Sequence, residues 1–402
     1  MKFGIFYEHQ LPRPWHEEDE YRLFQDSLDQ IEMADALGYD YAWVVEHHFL
    51  EEYAHSSAPE VFLAAASQRT QNIRLGHGIV QLTTNHPARV AERISTLDLI
   101  SHGRVEFGIG EGSSVTELHP FDRRFRDKRE VWEDAVKAIM PMFSKEGWEY
   151  HGKYFDFPLR NVVPKPRQKP HPPLWVACSQ WETIEMAGRR GMGVLAFQFI
   201  SSEMARAWVH TYYNSFTKRL EKLTDYQTNP QIALVSAFMC AETDEEALRR
   251  AEGASFFQFA LLFYNRHGPV VPGSISLWDE YLKWRETDEG KKLVAKAGGL
   301  IGSPKTLRER LRKFAQSNID QVVLINQTGK NTHEHICESL DLFAKEVMPE
   351  FHDMEPDHQK WKQQVLSGEI ELEEIDPQSM TPVSLQSAQW KENQKPGALA
   401  DG

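Results

Sequence analysis

Cysteine is scarce in this sequence, and long apolar runs are missing. Three cysteines occur among 402 residues, all far apart and none in a CxxC pair: Cys178, Cys240 and Cys337. This spacing argues against a disulfide framework and against a Cys-based zinc site, and it fits a reducing compartment. No apolar run reaches the roughly 18 residues of a membrane-spanning helix, and the residues after Met1 become polar too early for a signal peptide. We therefore expect a cytoplasmic protein without a membrane segment.

Positive charge is also in short supply. Lys and Arg number 45 against 59 Asp and Glu, which gives a net charge of -14. Because nucleic-acid binding requires clustered Lys and Arg to neutralise phosphates, this balance argues against a nucleic-acid binder. The HExxH, Walker and GxSxG signatures are absent as well. The glycine-rich residues 108–112 lack the continuation of a dinucleotide fingerprint, so a nicotinamide Rossmann site is not expected.

One unit recurs along the chain: an amphipathic helix, a Gly or Asn stop, and a short apolar strand. Residues 24–37, for example, have helical spacing, Gly38 ends the helix, and a strand follows at 41–45. Strands alternating with helices indicate a parallel sheet, and eight such units indicate a closed (β/α)8 TIM barrel. A doubly wound open sheet is the alternative, and the number of strands favours the barrel. The predicted strands are 3–7, 41–45, 73–82, 105–109, 174–177, 194–197, 232–239 and 322–325.

Three segments depart from this repeat. Residues 146–173 read as a hairpin followed by an extended, proline-rich loop. Residues 263–302 form a long connector with its own helix at 278–284, of the kind that serves as a lid or binding loop. The barrel would occupy 1–351, followed by a tail at 352–402 whose Gln, Glu, Ser and Pro content is typical of disorder. Trp361 and Trp390 favour docking of this tail on the body or on a second subunit.

In a barrel, active sites lie at the carboxyl ends of the strands. The most telling strand end is Glu46-His47-His48, because histidine titrates near neutral pH and can act as a base, a donor or a metal ligand. Adjacent side chains on a strand point to opposite faces, so a metal site that uses both histidines is not expected. A solvated domain edge is the alternative for this stretch. The other polar strand ends are 7–9, 81–86, 110–112, 178–180 and 197–198.

Several stretches resemble the bacterial luciferase-like flavin-dependent monooxygenase family, from residue 2 to about residue 351. They are WVVEHH at 43–48, LGHGI at 75–79, HPAR at 86–89, LDLISHGR at 97–104, FGIG at 107–110, PLWVA at 173–177, AGRRG at 187–191 and VMP at 347–349. The resemblance implies a (β/α)8 barrel that binds reduced FMN, activates dioxygen and inserts one oxygen atom into a small or medium organic substrate. It also implies a separate NAD(P)H-dependent flavin reductase as a partner, and a homodimer or higher homo-oligomer.

The resemblance also suggests roles for individual residues. His47 matches the family's catalytic histidine, a general acid/base beside the flavin, which suits a group with a pKa near 7. Tyr7 and His48 are expected to bind substrate. The bond between Gly78 and Ile79 aligns with a bulged, often cis peptide under the isoalloxazine ring. The expected cofactor-binding residues are Glu46, Gly78, Ile79, Gly110, Arg129, Cys178, Ser179, Gln180, Thr183 and Phe197.

Two questions remain open at the phosphate end of the cofactor. Ser179, Gln180 and Thr183 start a helix, where backbone donors suit a phosphate, and simple N-capping is the alternative. Glu111 stands where such proteins often carry an arginine, so either Arg129 supplies the positive charge or the cofactor differs. In addition, Ser179 stands where luciferase has an acid.

Two other functions use the same scaffold. One is a deazaflavin-dependent oxidoreductase that transfers hydride without oxygen, and the other is a non-catalytic flavin-binding subunit. The Glu-His-His and His-Pro-Ala-Arg segments favour the oxygenase, and retention of His47 argues against the non-catalytic subunit. An apolar substrate pocket is one interpretation of the aromatic residues Phe6, Tyr7, Trp181, Phe197 and Phe199, and packing in the core is the alternative.

Overall fold

Strands and helices alternate along nearly the whole chain in a computed structural model, which describes residues 1–197, 200–218, 220–267, 270–296 and 299–375. The strands are β1 (Lys2–Tyr7), β2 (Tyr41–Val44), β3 (Arg74–His77), β4 (Val80–Gln81), β5 (Val105–Gly110), β6 (Trp148–His151), β7 (Asp156–Arg160), β8 (Leu174–Cys178), β9 (Gly193–Ala196), β10 (Ile232–Cys240), β11 (Leu300–Gly302) and β12 (Gln321–Gln327).

The helices lie between these strands and after the last of them. They are α1 (Asp19–Leu37), α2 (Pro59–Arg69), α3 (Pro87–Ile100), α4 (Val115–Leu118), α5 (Lys128–Ile139), α6 (Trp181–Arg190), α7 (Ser202–Lys218), α8 (Asp244–Arg250), α9 (Ala254–His267), α10 (Leu277–Trp284), α11 (Asp288–Lys296), α12 (Pro304–Ala315), α13 (His333–Glu346), α14 (Met348–Asp353) and α15 (Glu355–Leu366). Local signals set several boundaries. Gly38 ends α1 with φ of 87°, and Pro87 begins α3.

Eight parallel strands close the barrel in the order β1, β2, β3, β5, β8, β9, β10 and β12. Closure is complete because β12 pairs with β1, with Lys2 opposite Gln321 and Ile5 opposite Leu324. The predicted (β/α)8 TIM barrel is confirmed, and so are all eight predicted strands. The predicted hairpin is present as the antiparallel pair β6–β7.

The expected strand at 73–82 is interrupted. It consists of β3 and β4, separated by Gly78 and Ile79, and the Gly78 N–H donates to Val44 O at 2.7 Å. On the neighbouring strand, a Cβ added to Gly108 would lie 1.9 Å from His77 O. Only glycine permits this close approach, which brings the end of β3 against β5.

Side chains alternate between the inside and the outside of the barrel. Phe6 belongs to the interior cluster with Trp43 and Trp175, whereas Tyr7 packs outside with Phe62 and Ile31. The interior cluster continues at one end into Phe256, Phe257, Tyr264, Leu277, Trp278 and Tyr281, from helices α9 and α10. These two helices, which we call the cover, therefore sit over the barrel, and α10 contains the helix that was predicted at 278–284.

The buried carboxylate of Glu52 ties the cover to the loop that follows β2. It accepts hydrogen bonds from Leu277 N at 2.5 Å and Trp278 N at 3.0 Å, the first two amides of α10. It also accepts from Arg13 N at 2.9 Å. A carboxylate at a helix N-terminus satisfies amides that have no partner within the helix, and it interacts favourably with the helix dipole.

The expected tail begins with an ordered helix. His358 and Lys362 of α15 each place a nitrogen 2.8 Å from Oδ1 of the buried Asp320, and Trp361 packs edge-on against Tyr213. Disorder therefore does not describe this part of the tail, and Trp361 docks on the body as its sequence context suggested. Trp390 lies outside the described residues. None of the helices in the described part of the chain has the length and apolar character needed to cross a membrane.

Candidate active site

His47 lies between two buried carboxylates at the end of β2. Its Nδ1 is 2.7 Å from Glu117 Oε1, and its Nε2 is 3.5 Å from Glu8 Oε2. Glu8 follows β1, and Glu117 belongs to α4, which follows β5. Tyr53 completes the group by donating from its hydroxyl to Glu8 Oε1 at 3.1 Å. We call these four residues, Glu8, His47, Tyr53 and Glu117, the His47 cluster.

The electrostatics of this cluster favour a charged imidazole. Burial lowers the pKa of His47, but the carboxylates of Glu117, Glu8 and Glu46 more than offset this and raise it to about 9. Burial raises the pKa of Glu8 to about 7, against the opposing effects of His47 and Tyr53. Burial also acts to raise the pKa of Glu117, but His47 and the other donors around it lower it overall.

Glu46 holds the surrounding loops together and does not contact the His47 ring through a hydrogen bond. Its Oε1 is 3.1 Å from His48 Nε2 and accepts from Asn85 Nδ2 at 2.7 Å. Its Oε2 accepts from Gln81 N at 2.9 Å. The ring of His48 also packs against Phe121, with centroids 5.0 Å apart. His48 therefore lies at the rim beside an exposed aromatic surface.

The inner edge of the barrel brings together four of the expected cofactor-binding residues: Gly78, Ile79, Gly110 and Phe197. A Cβ on Gly110 would lie 2.6 Å from Ile79 Cδ1, so the two strand ends touch through a glycine. Phe197 packs on Phe6 at 5.4 Å between ring centroids. The cis peptides of the described residues all precede prolines, so the peptide between Gly78 and Ile79 is trans and that expectation is wrong. The bulge itself is present as the break between β3 and β4.

Arg129 and Glu111 meet on the far side of this edge. Arg129 Nε is 2.5 Å from Glu111 Oε1, and Lys128 Nζ is 3.9 Å from Glu111 Oε2. Both charges act on the buried Cys178 thiol, which places the pair near the turn from β8 into α6. Glu111 already pairs with both cations, and Glu117 also acts on Lys128, so an anionic cofactor group would compete with these carboxylates.

At the start of α6 the expected polar residues are engaged in capping. The Thr183 hydroxyl accepts from Gln180 N at 3.1 Å and donates to Gln180 O at 2.7 Å. The capping alternative therefore describes the Thr183 side chain. Ser179 lies in the same turn, and the backbone amides of this ten-residue helix remain suited to an anion.

Two of the expected site residues do not face the barrel mouth. Tyr7 is fully buried outside the barrel and donates its hydroxyl to Gln30 Oε1 of α1 at 3.1 Å, because residue 7 has the opposite orientation to Phe6. Cys178 packs in the outer core, donates its thiol to Thr183 O at 3.3 Å, and has a pKa raised by burial to about 12. Trp181 also packs on the outer layer, and Gln198 and Phe199 lie outside the described residues.

Sequence reasoning missed Glu117 and Tyr53 and did not single out Glu8. Glu117 follows Ser114 by three residues, a spacing typical of a helix N-cap, and Ser114 Oγ does accept from Glu117 N at 3.4 Å. The carboxylate instead turns inward to His47, which is 70 residues away. The Ser-x-x-Glu spacing after a strand end is the sequence pattern that involves Glu117, and this spacing predicts a helix N-cap and not a contact with His47.

Comparisons with known proteins identify the family and the fold. The family model described as luciferase-like monooxygenase matches residues 1–321. The oxygenase component of a flavin-dependent trigonelline monooxygenase from Acinetobacter baylyi is 26% identical over 369 residues, covering 89% of this chain and 97% of its own.

Solved structures show the same fold. Monooxygenase RslO1 from Streptomyces bottropensis has a TM-score of 0.72 and 24% identity, covering 87% of this chain and 100% of its own. The oxygenating constituent of 3,6-diketocamphane monooxygenase from Pseudomonas putida, in complex with FMN, has a TM-score of 0.68 and 21% identity, covering 87% and 98%. A coenzyme F420-dependent tetrahydromethanopterin reductase from Methanopyrus kandleri has a TM-score of 0.62 and 20% identity, covering 87% and 99%. Because the family model matches most of its length, the chain belongs to the luciferase-like monooxygenase family and is an enzyme of the monooxygenase class.

Proposed function

We propose that this protein is the oxygenase component of a two-component monooxygenase that uses reduced FMN and dioxygen to oxygenate a small or medium organic substrate. The observation that carries the proposal is the His47 cluster, in which an imidazole is held between two buried carboxylates at a glycine-lined barrel mouth. When bound, reduced FMN would supply the electrons for dioxygen activation. A separate NAD(P)H-dependent flavin reductase would provide the reduced cofactor.

Different residues of this chain would bind the flavin ring system, bind its phosphate and transfer a proton. Gly78, Ile79, Gly110 and Phe197 present a flat, partly apolar edge suited to an aromatic ring system. Lys128, Arg129 and the α6 N-terminus supply positive potential for a phosphate. His47 holds and releases a proton at Nε2, the ring nitrogen that does not bond to Glu117. The cover would shield the mouth from water, which would strengthen the electrostatic interactions of the cluster.

His48 is the remaining candidate for contact with the substrate. Its ring lies beside Phe49, which is 55% exposed, and Phe121, which is 36% exposed. Exposed aromatic rings next to a catalytic group suit an apolar organic molecule. Tyr7 is not part of this proposal because its side chain packs outside the barrel.

A deazaflavin-dependent hydride transferase is the second candidate. The F420-dependent neighbour shows that this barrel occurs with such a cofactor, and a glycine edge with an anion site would suit either. The relative that is a flavin-dependent oxygenase component supports a flavin because it matches along nearly the whole chain, and the 3,6-diketocamphane monooxygenase structure is a complex with FMN. The buried carboxylates around His47 argue against a non-catalytic subunit, because burial of ionisable groups is costly and clusters at functional sites.

Anaerobic titration tests the two cofactors directly. The protein is titrated with reduced FMN and, separately, with a reduced deazaflavin, and each complex is then mixed with oxygenated buffer in a stopped-flow spectrometer. We expect tighter binding of FMN and a near-ultraviolet absorbance transient that outlives that of free reduced FMN. Tight deazaflavin binding without a transient would move the protein to the hydride-transfer class, and binding of neither would remove both proposals.

A further inference from the structure

The two carboxylates that flank His47 are satisfied to very different degrees. Glu117 Oε1 accepts from His47 Nδ1 and from Gln81 Nε2, both at 2.7 Å, and from His48 N at 3.3 Å. Glu117 Oε2 accepts from the hydroxyls of Ser113 at 3.2 Å and Ser114 at 3.0 Å. A carboxylate that receives this many hydrogen bonds stays ionised.

Glu8 has far fewer partners although it is equally buried. Its Oε1 accepts from Tyr53 alone, and its Oε2 makes no hydrogen bond and faces His47 Nε2 at 3.5 Å. A buried carboxylate oxygen without a donor carries a free-energy cost in its charged form. Glu8 is therefore the member of the cluster for which protonation is favourable, and its bare oxygen points at the imidazole.

The Glu117 contact also fixes which ring nitrogen exchanges its proton. Because Nδ1 bonds to a permanently ionised carboxylate, Nδ1 keeps its hydrogen, and Nε2 is the atom that gains and loses one. The groups that face the ring are Glu8 after β1, Glu46 and Tyr53 after β2, and Glu117 of α4. Three of them are carboxylates, so the ring is the main positive charge among them.

From this asymmetry we propose that Glu8 shares a mobile proton with His47 Nε2, and that Glu117 is the positioning residue that fixes the ring through Nδ1. The transfer is balanced, because a neutral Glu8 and a neutral imidazole become a carboxylate and an imidazolium with no change in total charge. The hydroxyl of Tyr53 favours the charged form of Glu8 and therefore shifts the proton toward His47 Nε2. The catalytic use of this proton rests on the proposed function, whereas the shared proton itself does not.

The pair would thus hold one proton between its two titration midpoints. Burial raises the pKa of Glu8 to about 7, and the flanking carboxylates raise that of His47 to about 9 against the effect of burial. Since the two groups interact, each titration midpoint depends on the other group. Removing the charge of Glu8 should consequently be visible at His47.

The test is ¹⁵N NMR of the full-length, flavin-free protein with labelled histidine, in which His47→Asn identifies the His47 signals. Above its midpoint, wild-type His47 should show a protonated Nδ1 and a bare Nε2. In Glu8→Gln the midpoint should fall by about one unit or more, which is a tenfold or greater loss of proton affinity. In Glu117→Gln the midpoint should also fall, and both tautomers should be populated. Tyr53→Phe should lower the midpoint of His47 less than Glu8→Gln does.

Two results would overturn the proposal: an unchanged midpoint in Glu8→Gln, or a wild-type ring protonated at Nε2 above its midpoint. Glu117→Asp keeps the charge and serves if Glu117→Gln does not fold, and it should retain the Nδ1-protonated tautomer. Because no flavin is present, failure here is distinct from failure of the proposed oxygenase. In the reconstituted enzyme, Glu8→Gln should shift the pH profile of turnover, an effect that a purely structural role would not produce.

Discussion

A histidine whose two nitrogens face two different carboxylates exchanges protons in a defined direction. Glu117 binds the side of the ring that faces α4, and only Nε2 is left toward Glu8 and the barrel mouth. The direction depends on contacts between strand ends that are far apart in sequence. General acid/base catalysis requires this placement before any pKa matters.

His47→Asn should reduce turnover by ~10²-fold or more while reduced FMN still binds, because asparagine keeps polar contacts but cannot exchange a proton near neutral pH. Steady-state rates and an anaerobic flavin titration measure the two effects separately. His16→Asn is the matched control, because His16 is 73% exposed and outside the cluster. Unchanged turnover in His47→Asn would remove the acid/base assignment.

Arg129→Ala should weaken binding of FMN much more than binding of riboflavin, because only FMN carries the phosphate. Glu111→Gln should have the opposite effect, since it removes the carboxylate that pairs with Arg129 at 2.5 Å. Arg126→Ala, at a position 72% exposed and paired with Asp127, is the control. Fluorescence titrations with both flavins give the ratio of the FMN affinity to the riboflavin affinity for each variant. Equal losses of affinity for the two flavins in Arg129→Ala would place the phosphate elsewhere.

Sequence patterns singled out His47 but not its contacts with the buried carboxylates. Its position at the end of an apolar run is a local signal, whereas its pairing with Glu117 spans 70 residues and arises only when β2 and β5 come together. The assignment of Tyr7 failed for a related reason. Residues 6 and 7 are both aromatic, and only the strand register shows that Phe6 is the one facing inward.

At the scale of elements, the spacing of apolar residues and the positions of Gly and Pro were sufficient to predict most helices and strands of the barrel. Gly38 ends a helix at the expected position, and the structure places similar boundaries at Pro87, which begins α3, and at Gly191, which follows α6. The break between β3 and β4 lies at the bulge expected from the resemblance at Gly78 and Ile79, whereas periodicity alone gave one continuous strand at 73–82. Helix α15 was missed because its composition is polar, and its buried face is formed by His358, Lys362 and Val365.

The anchor of α15 at Asp320 leads to a stability prediction. Lys362→Met should lower the free energy of unfolding by about 3–5 kcal/mol, because it removes the lysine that pairs with the buried Asp320 carboxylate. The exposed Lys360→Met on the same helix should change it by no more than about 0.5 kcal/mol. Urea unfolding at neutral pH measures both, and equal stability of the two variants would show that the pair contributes little.

The pair of Asp320 and Lys362 also gives the stability of the fold a pH dependence of known sign. Burial acts to raise the pKa of Asp320, but Lys362 and His358 lower it to about 2, below the roughly 3.9 of an unfolded chain. Its contribution is therefore complete above about pH 4 and is lost as the pH falls toward 2. The difference in stability between the wild type and Lys362→Met should shrink over this acidic range. A difference that stays constant would assign the effect to packing.

At the scale of the whole molecule, the proposed function requires a second protein only as a source of reduced flavin. Substrate oxidation with NADH and FMN should therefore need an added flavin reductase, and an unrelated reductase should serve as well as a cognate one. The rate should follow the concentration of free reduced FMN. If one reductase alone supports turnover at equal reduced FMN, direct transfer between two docked proteins is required instead.

The overall architecture was the most predictable level because it repeats the same local pattern eight times. Eight helix-and-strand units leave few arrangements other than a closed barrel. Substrate identity is not encoded in such a repeat, because it depends on the cover and on rim residues such as Phe49 and Phe121. Their positions follow from long-range contacts, including that between Glu52 and the start of α10.

The pairing of β1 with β12 has a consequence for how the chain is made. Lys2 leaves the ribosome long before its partner Gln321, which lies much later in the chain. At ~5–20 residues per second, one edge of the first strand waits on the order of tens of seconds for its neighbour. During that time its backbone amides and carbonyls are open to other nascent chains. Chaperone binding to incomplete barrels would cover this edge. The yield of folded protein should therefore depend on chaperones more strongly than the stability of the finished barrel does.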